Sequence, residues 1–141
     1  MIRLAALTCL ALSAFAAPAL AADVTITLTG VEARGGEVSA VLNTEATFMR
    51  GADYTATASG DAAGTITLTF HDVAPGEYAL MVMHDANGNG RFDMSPSGMP
   101  AEGFAFSNKG RPLMGMPTFQ GLKFTVTADG ATMTEPMTYM Q

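Results

Sequence analysis

Val24-Thr25-Ile26-Thr27-Leu28-Thr29 places an aliphatic residue at every second position and a threonine after each one. Successive side chains of a β-strand point to opposite faces, so this period of two predicts a strand with one face in a core and the other in solvent. Thr65-Ile66-Thr67-Leu68-Thr69-Phe70 repeats the pattern further along the chain. These two stretches indicate an all-β protein whose sheets each bury one face.

Shorter apolar or alternating runs between turn residues predict the remaining strands. These strands cover residues 37–43, 54–58, 77–83, 123–127 and a last segment from 132 to 134. Residues 77–83 are apolar on both faces, which predicts a central position in the sheet. Asp129-Gly130 predicts a hairpin turn between the last two strands. With no sustained helical period, the pattern favours a single antiparallel β-sandwich of about seven strands, with a closed barrel as the alternative.

The first residues have the composition of a secretory signal peptide. Met1-Ile2-Arg3 is positively charged, residues 4–15 are apolar, and Ala19-Leu20-Ala21 fits the A-x-A cleavage pattern. A retained anchor is less favoured, because the apolar run is shorter than the roughly twenty residues that a membrane span requires. We therefore expect residues 1–21 to be a signal peptide, residues 22–141 to form one domain, and the protein to be periplasmic or secreted.

Charge and cysteine content exclude several classes of function for the predicted mature chain. Cys9, the only cysteine, lies in the predicted signal peptide, so no disulfide or thiol chemistry is expected. Without Arg3 the chain carries six Lys and Arg residues against thirteen Asp and Glu, a formal charge of −7. We do not expect nucleic acid as a partner, nor a membrane span. An exported protein or an envelope component is a more suitable partner, and the oligomeric state is left open.

The stretch His84-Asp85-Ala86-Asn87-Gly88-Asn89-Gly90-Arg91-Phe92-Asp93 is typical of a calcium-binding loop. Its oxygen-bearing side chains recur at alternate positions and a glycine follows the third, which allows the chain to turn around an ion. An EF-hand would carry a bidentate glutamate where Pro96 stands, and helices would flank it, so this loop is instead joined to a strand. The predicted Ca²⁺ ligands are the side chains of Asp85, Asn87, Asn89, Asp93 and Glu102 and the backbone carbonyl of Arg91.

Other interpretations of this region stay open at the level of the sequence. Asn-Gly turns also occur without an ion, because these residues tolerate left-handed backbone. Glu102 would then be a surface charge or a partner for Lys109 or Arg111. If an ion binds, we expect it to order a long irregular loop at residues 93–118 that serves partner or ligand binding. The apolar side chains expected to form that surface include Phe104, Phe106 and Phe119.

Methionine spacing supports a second metal hypothesis. Met81-x-Met83 and Met114-x-Met116 repeat at two-residue spacing. Thioether sulfur ligates Cu(I), so a copper-binding carrier is the alternative function, although core packing also explains these residues. We expect His84 to pack and hydrogen-bond at the end of a strand; were it a ligand, the ion would be a transition metal rather than calcium.

No motif for catalysis is found in the sequence. It contains no G-x-S-x-G elbow, phosphate-binding loop or H-E-x-x-H. A hydrolytic arrangement could use Ser95 or Ser107 as nucleophile and His84 as base, but no motif supports it. We therefore predict that the protein is not an enzyme.

Three ordered blocks of sequence resemble one known family. They are Gly76-Glu77-Tyr78-Ala79 leading into residues 84–90 and Asp93, then residues 98–108, then residues 117–124. Together they resemble DUF2141, exported bacterial proteins of unknown function, over nearly the whole predicted mature chain. The resemblance implies an immunoglobulin-like or transthyretin-like β-sandwich and no established activity. Ala101 and Gly121 depart from the more polar residues that the resemblance leads us to expect there.

Overall fold

The described part of the chain folds into β-strands that form two packed sheets. The structure is a computed structural model, and it describes residues 20–109 and 116–140. The predicted signal peptide lies almost entirely outside these residues, as does Met114. The described strands are β1 (Ala22–Val31), β2 (Glu37–Asn43), β3 (Tyr54–Ser59), β4 (Gly64–Val73), β5 (Gly76–Asp85), β6 (Gly103–Phe106), β7 (Phe124–Val126) and β8 (Ala131–Pro136). A 3₁₀ turn at Ser107–Lys109 and the short helix α1 (Phe119–Leu122) lie between β6 and β7.

The strands are distributed between a three-stranded and a five-stranded sheet. The smaller sheet has the order β4-β1-β8, and the larger has the order β3-β2-β5-β6, with β7 also paired to β5. Every pairing is antiparallel except that of β1 with β8, which is parallel. The predicted β-sandwich is confirmed, and so is the central position of β5, which pairs with three strands.

The core lies between the inner faces of the two sheets. The aliphatic residues of β1 are fully buried, and they pack with the inward-facing residues of β2, β4 and β5 in one cluster. The threonines between them point outward, as the period-two pattern predicts. Burying an aliphatic side chain of this size contributes about 1.5–3 kcal/mol, so the alternating strands supply the main stabilisation of the sandwich.

Strand β6 is the main element that the sequence-based prediction missed. It lies within residues 93–118, for which no regular structure was expected. Gly103, Phe104 and Ala105 are all buried, so the segment has no alternation of apolar and polar residues that could identify it as a strand. The strand is also only four residues long and begins with a glycine. The long loop is therefore interrupted by a strand at the edge of the larger sheet.

The prediction that the strands on either side of Asp129-Gly130 pair with each other as a hairpin is wrong. The turn is present, and Thr127 and Gly130 form an isolated bridge across it. However, β7 pairs with β5 and β8 pairs with β1, so the turn carries the chain from one sheet to the other. Six residues of β8 align with β1. That longer ladder, rather than pairing with the three-residue β7, satisfies the backbone groups of β8.

The fully buried side chain of His84 holds the end of β5 in place. Its Nε2 lies 2.8 Å from the carbonyl oxygen of Gly35, and its Nδ1 lies 2.8 Å from the hydroxyl oxygen of Tyr139. A carbonyl can only accept, so Nε2–H donates to Gly35, and in the neutral ring Nδ1 then accepts the Tyr139 O–H. Both ring nitrogens are occupied, which confirms the predicted role of His84 in packing and hydrogen bonding.

No helix among the described residues is long and apolar enough to cross a membrane.

The close approach of His84 to the neighbouring turn predicts a strict requirement for glycine at position 60. A Cβ atom there would overlap the Gly35 carbonyl oxygen and Nε2 of His84, whereas a Cβ at Gly51 would have no atom within 4 Å. We expect Gly60→Ala to lower the free energy of unfolding by about 1–3 kcal/mol, as overpacking does. Gly51→Ala is the control and should leave it within about 0.5 kcal/mol. Urea denaturation of both variants measures the difference, and equal stabilities would contradict the packing described.

Candidate calcium site and adjacent apolar pocket

The Asp85 carboxylate organises the loop that follows β5. Its Oδ1 accepts the backbone N–H groups of Gly88 at 2.8 Å and Asn89 at 3.2 Å, and its Oδ2 accepts that of Gly90 at 2.7 Å. Gly88 and Gly90 have φ angles of 71° and 73°, in the left-handed region that glycine adopts without strain. The hydrogen bond from Gly90, followed by those from Gly88 and Asn89, lowers the pKa of Asp85. Asp85 is therefore an ionised anchor at the start of the loop.

The two asparagines of the loop converge on Asp93. The Nδ2 groups of Asn87 and Asn89 donate to Oδ2 of Asp93 at 2.7 and 2.6 Å. Their Oδ1 atoms accept backbone N–H groups two residues further along, from Asn89 at 3.0 Å and Arg91 at 2.8 Å. The structure thus brings the side chains of Asn87, Asn89 and Asp93 together. Calcium requires oxygen ligands, so the two side-chain amides would have to turn over to bind it.

Glu102 is buried next to this loop, and one of its oxygens has no hydrogen-bond partner. The residue is only 4% exposed. Its Oε2 accepts the Asp93 N–H at 3.5 Å, while Oε1 is buried and unpaired. Burial raises the pKa of Glu102; the hydrogen bond from the Asp93 N–H offsets part of this rise, and the nearby charges of Asp85 and Asp93 raise the pKa further. Glu102 is therefore a buried carboxyl and not a surface charge, and among the described residues no Lys, Arg or His side chain forms an ion pair with it.

The carboxylates do not form a complete metal centre by themselves. Within residues 20–109 and 116–140, no three His, Cys, Asp or Glu side chains are grouped so that they could hold a metal ion. A calcium site at this loop would therefore need the amide oxygens and the Arg91 carbonyl in addition to carboxylates. Lys109, one of the two partners considered for Glu102, donates its backbone N–H to Glu135 at 2.8 Å, and its ammonium group forms no ion pair with Glu102. Arg111 lies outside the described residues.

The serine and histidine residues considered for hydrolysis are not brought together. Ser107 is fully buried, accepting the Leu80 N–H at 3.0 Å and donating to the Leu122 carbonyl at 2.5 Å. Ser95 lies in the loop, where its hydroxyl is 2.8 Å from that of Ser97. Neither contacts His84, whose ring nitrogens bind elsewhere. These hydrogen bonds hold the fold and form no nucleophile–base pair.

An apolar pocket of about 610 Å³ lies on the outer face of the larger sheet, beside the loop. Its floor is formed by two rows across β2, β5 and β6: Ser39–Met83–Phe104 and Val41–Met81–Phe106. Phe92, Met94 and Pro100 from the loop form one wall. The Phe92 ring packs edge-on against Phe104, with 6.0 Å between centroids. The loop that carries the candidate ligands is thus also part of the pocket.

This pocket was not predicted from the sequence. Of the three aromatic residues expected to form an apolar surface, Phe104 and Phe106 line the pocket and Phe119 does not. Phe119 packs with Leu122 and Ala79 in a second small core. The sequence did contain a signal for it. The outward-facing positions of β2 and β5 include the apolar residues Val41 and Met81, whereas the outward-facing positions of β1 are threonines.

Comparison with known proteins gives one match. The family model DUF2141, described as an uncharacterized protein conserved in bacteria, matches residues 26–134. No curated protein matches the chain. No solved structure matches it either.

The environment of Glu102 predicts how its charge affects stability. A carboxyl whose pKa is raised in the folded state destabilises the fold once it ionises, so stability is lost as pH rises above its unfolded pKa of about 4.3. In calcium chelator near neutral pH, Glu102→Gln should therefore raise the free energy of unfolding by about 1 kcal/mol or more. The gain should shrink toward about pH 4, where Glu102 is protonated in the parent.

Urea denaturation at both pH values measures this difference. Asp129→Asn, which changes an exposed carboxylate in the β7–β8 turn, is the control and should show no comparable gain. A Glu102→Gln variant less stable than the parent at neutral pH would contradict the unfavourable burial of this charge.

Proposed function

The chain belongs to the DUF2141 family, whose description assigns no activity, and on that premise we propose that it is an exported protein that binds one Ca²⁺ ion at the loop after β5. The observation that carries the proposal is the buried Glu102 carboxylate, with an unpaired oxygen beside Asp85 and Asp93. Burying an uncompensated charge costs several kcal/mol, and a divalent cation would offset that cost. Calcium suits a set of carboxylate, amide and carbonyl oxygens.

Each ligand has a distinct part in this proposal. Asp93 and Glu102 would supply the charge, Asn87 and Asn89 would turn their amide oxygens inward, and the Arg91 carbonyl would complete the set. Asp85 already accepts three backbone N–H groups, two at Oδ1 and one at Oδ2, so it would ligate with the one remaining lone pair on Oδ2 while still shaping the loop. The ion would thereby tie residues 86–102 to the ends of β5 and β6.

Export is supported by the sequence of the first residues. The charged start, the apolar run and the A-x-A pattern at residues 19–21 fit a signal peptide. Periplasmic and extracellular proteins meet more free Ca²⁺ than cytosolic ones, so an extracellular-type site with a dissociation constant of about 10⁻⁴–10⁻³ M would be occupied there.

A calcium titration tests the proposal. At a hundred times its Kd, an ion that binds only the folded state stabilises it by about 2.7 kcal/mol, so Ca²⁺ should raise the melting temperature relative to excess chelator. Asp93→Asn and Glu102→Gln should each weaken binding about tenfold or more, a loss of about 1.4 kcal/mol, in isothermal titration. Asp129→Asn should bind as the parent does.

Two results would count against a calcium site. The first is an unchanged melting temperature across millimolar Ca²⁺ and chelator. The second is equal weakening by Asp129→Asn and Glu102→Gln, which would show a general effect of surface charge rather than a specific site.

A copper-binding carrier is the second candidate, supported by the clustering of thioethers. Six of the residues that line the pocket are methionines: Met49, Met81, Met83, Met94, Met116 and Met140. Sulfur ligands select Cu(I), and an exported chain without a mature cysteine would depend on thioethers to bind it.

A competition titration of Cu(I) against a specific chelator tests this second candidate. The double variant Met81→Leu/Met83→Leu keeps the apolar volume and removes two sulfurs, so it should bind Cu(I) more weakly than the parent. Met99→Leu is the control, since Met99 is exposed and does not line the described pocket. Equal Cu(I) affinity of the two variants would exclude Met81 and Met83 as ligands.

A further inference from the structure

The outer face of the larger sheet is apolar over two rows of side chains, whereas the outer face of β1 carries threonines. A sheet face that meets only water would be expected to carry polar side chains there. Here the floor residues Val41, Met81 and Phe106 lie side by side, and the described parts of the loops above them, within residues 20–109 and 116–140, do not fill the space. The remaining volume, about 610 Å³, is within the range of about 300–1,000 Å³ found for small-molecule sites.

The described lining of the pocket offers almost no partner to a charged or strongly polar ligand. Among the described residues that line the pocket, Ser39 alone carries a side-chain hydroxyl and none carries a charge. A ligand with buried polar groups would lose its hydrogen bonds to water without replacement, at a cost of roughly 1–3 kcal/mol for each group. The occupant must therefore present hydrocarbon to the interior.

The mouth of the pocket indicates where such a ligand enters. Four large apolar side chains at its edge are exposed to solvent: Met49 at 48%, Phe92 at 44%, Met94 at 54% and Met116 at 73%. Exposed apolar groups around a concave apolar site are typical of surfaces that bind apolar molecules. Methionine side chains are unbranched and flexible, so they adapt to a ligand that is itself a flexible chain.

We propose that this pocket binds one unbranched alkyl chain, such as the acyl chain of a fatty acid or a lysolipid, with its head group left in solvent at the mouth. The volume favours this occupant over a lone Cu(I) ion, because an ion would need only a few converging sulfurs and not a space also lined by Val41, Phe104 and Pro100. The proposal rests on the pocket itself and does not require calcium.

A chain-length series provides the direct test, with octanol, decanol and dodecanol titrated into the purified protein. Burial of each added methylene should tighten binding about fourfold until the pocket is full. Dodecanoate and lauroyl lysophosphatidylcholine carry the same chain length on different head groups and distinguish a free acid from a lipid. Similar affinity for both would support recognition of the chain, whereas equal affinity for octanol and dodecanol would overturn the proposal.

Two variants connect the binding to this pocket. Ser39→Phe would fill the floor from a half-buried position on β2 and should weaken dodecanol binding more than tenfold. Thr67→Phe makes a matched change at an exposed position of β4 on the other sheet and should have no effect. Met81→Ala enlarges the pocket and should shift the preferred alcohol to a longer chain, a change that misfolding could not produce.

The alcohol titrations are repeated in excess chelator and in Ca²⁺. A failure of the pocket proposal can then be distinguished from a failure of the calcium proposal. Chain-length-dependent binding in chelator supports the pocket whatever the calcium titration shows. If a folded Ser39→Phe variant bound dodecanol as tightly as the parent does, the assignment of the alkyl chain to this pocket would be overturned. So would a protein that binds Cu(I) and none of the alcohols.

Discussion

The hydrogen bonds of the Asp85 carboxylate are the interaction on which the candidate site and the pocket both depend. β5 is the central strand of its sheet, and the residue before its last is the buried His84, whose two ring nitrogens are already hydrogen-bonded. The chain must reverse immediately after that point, and three backbone N–H groups of the reversal are satisfied by one carboxylate. These three hydrogen bonds to one carboxylate fix the conformation of the turn, so the loop leaves β5 in a defined direction. That direction places Phe92 against Phe104 and Asp93 beside Glu102.

The two sheets differ in what they present to the outside, and this difference accounts for the position of the functional features. The smaller sheet faces outward with the threonines of β1, which need no cover. The larger sheet faces outward with methionine, valine and phenylalanine side chains. The segments that follow β2 and β5, and the residues just before α1, lie over that face. Residues that stabilise a fold by burial usually lie between sheets. Here a second apolar layer lies outside the sandwich, where it stays open enough to admit a molecule.

Most of the fold could be predicted because alternation along a strand reports directly which face is buried. β1, β2 and β4 follow that rule, and the loop residues from Asp85 to Asp93 were identified by their spacing alone. β6 could not be predicted, since a four-residue segment that is buried on both faces has no period. The burial of Glu102 and the floor of the pocket depend on which strands pair across the sheet, and pairing partners such as Met83 and Phe104 are not encoded by local pattern. The sequence therefore indicates which candidate ligands lie near one another in the chain, but not that Glu102 is buried with one unpaired oxygen.

The parallel pairing of β1 with β8 has a consequence for the order in which the molecule is assembled. Residues 24–29 of the first described strand align with residues 131–136 of the last, so the smaller sheet cannot close until nearly the whole chain has been delivered. Contacts between such distant segments form slowly, because the entropy of closing the intervening chain is lost before the pairing is gained. During that interval one edge of β1 exposes unpaired backbone groups, which is the kind of edge on which chains aggregate. Until β8 pairs with it, this edge of β1 is therefore the part of the smaller sheet most prone to pair with another chain.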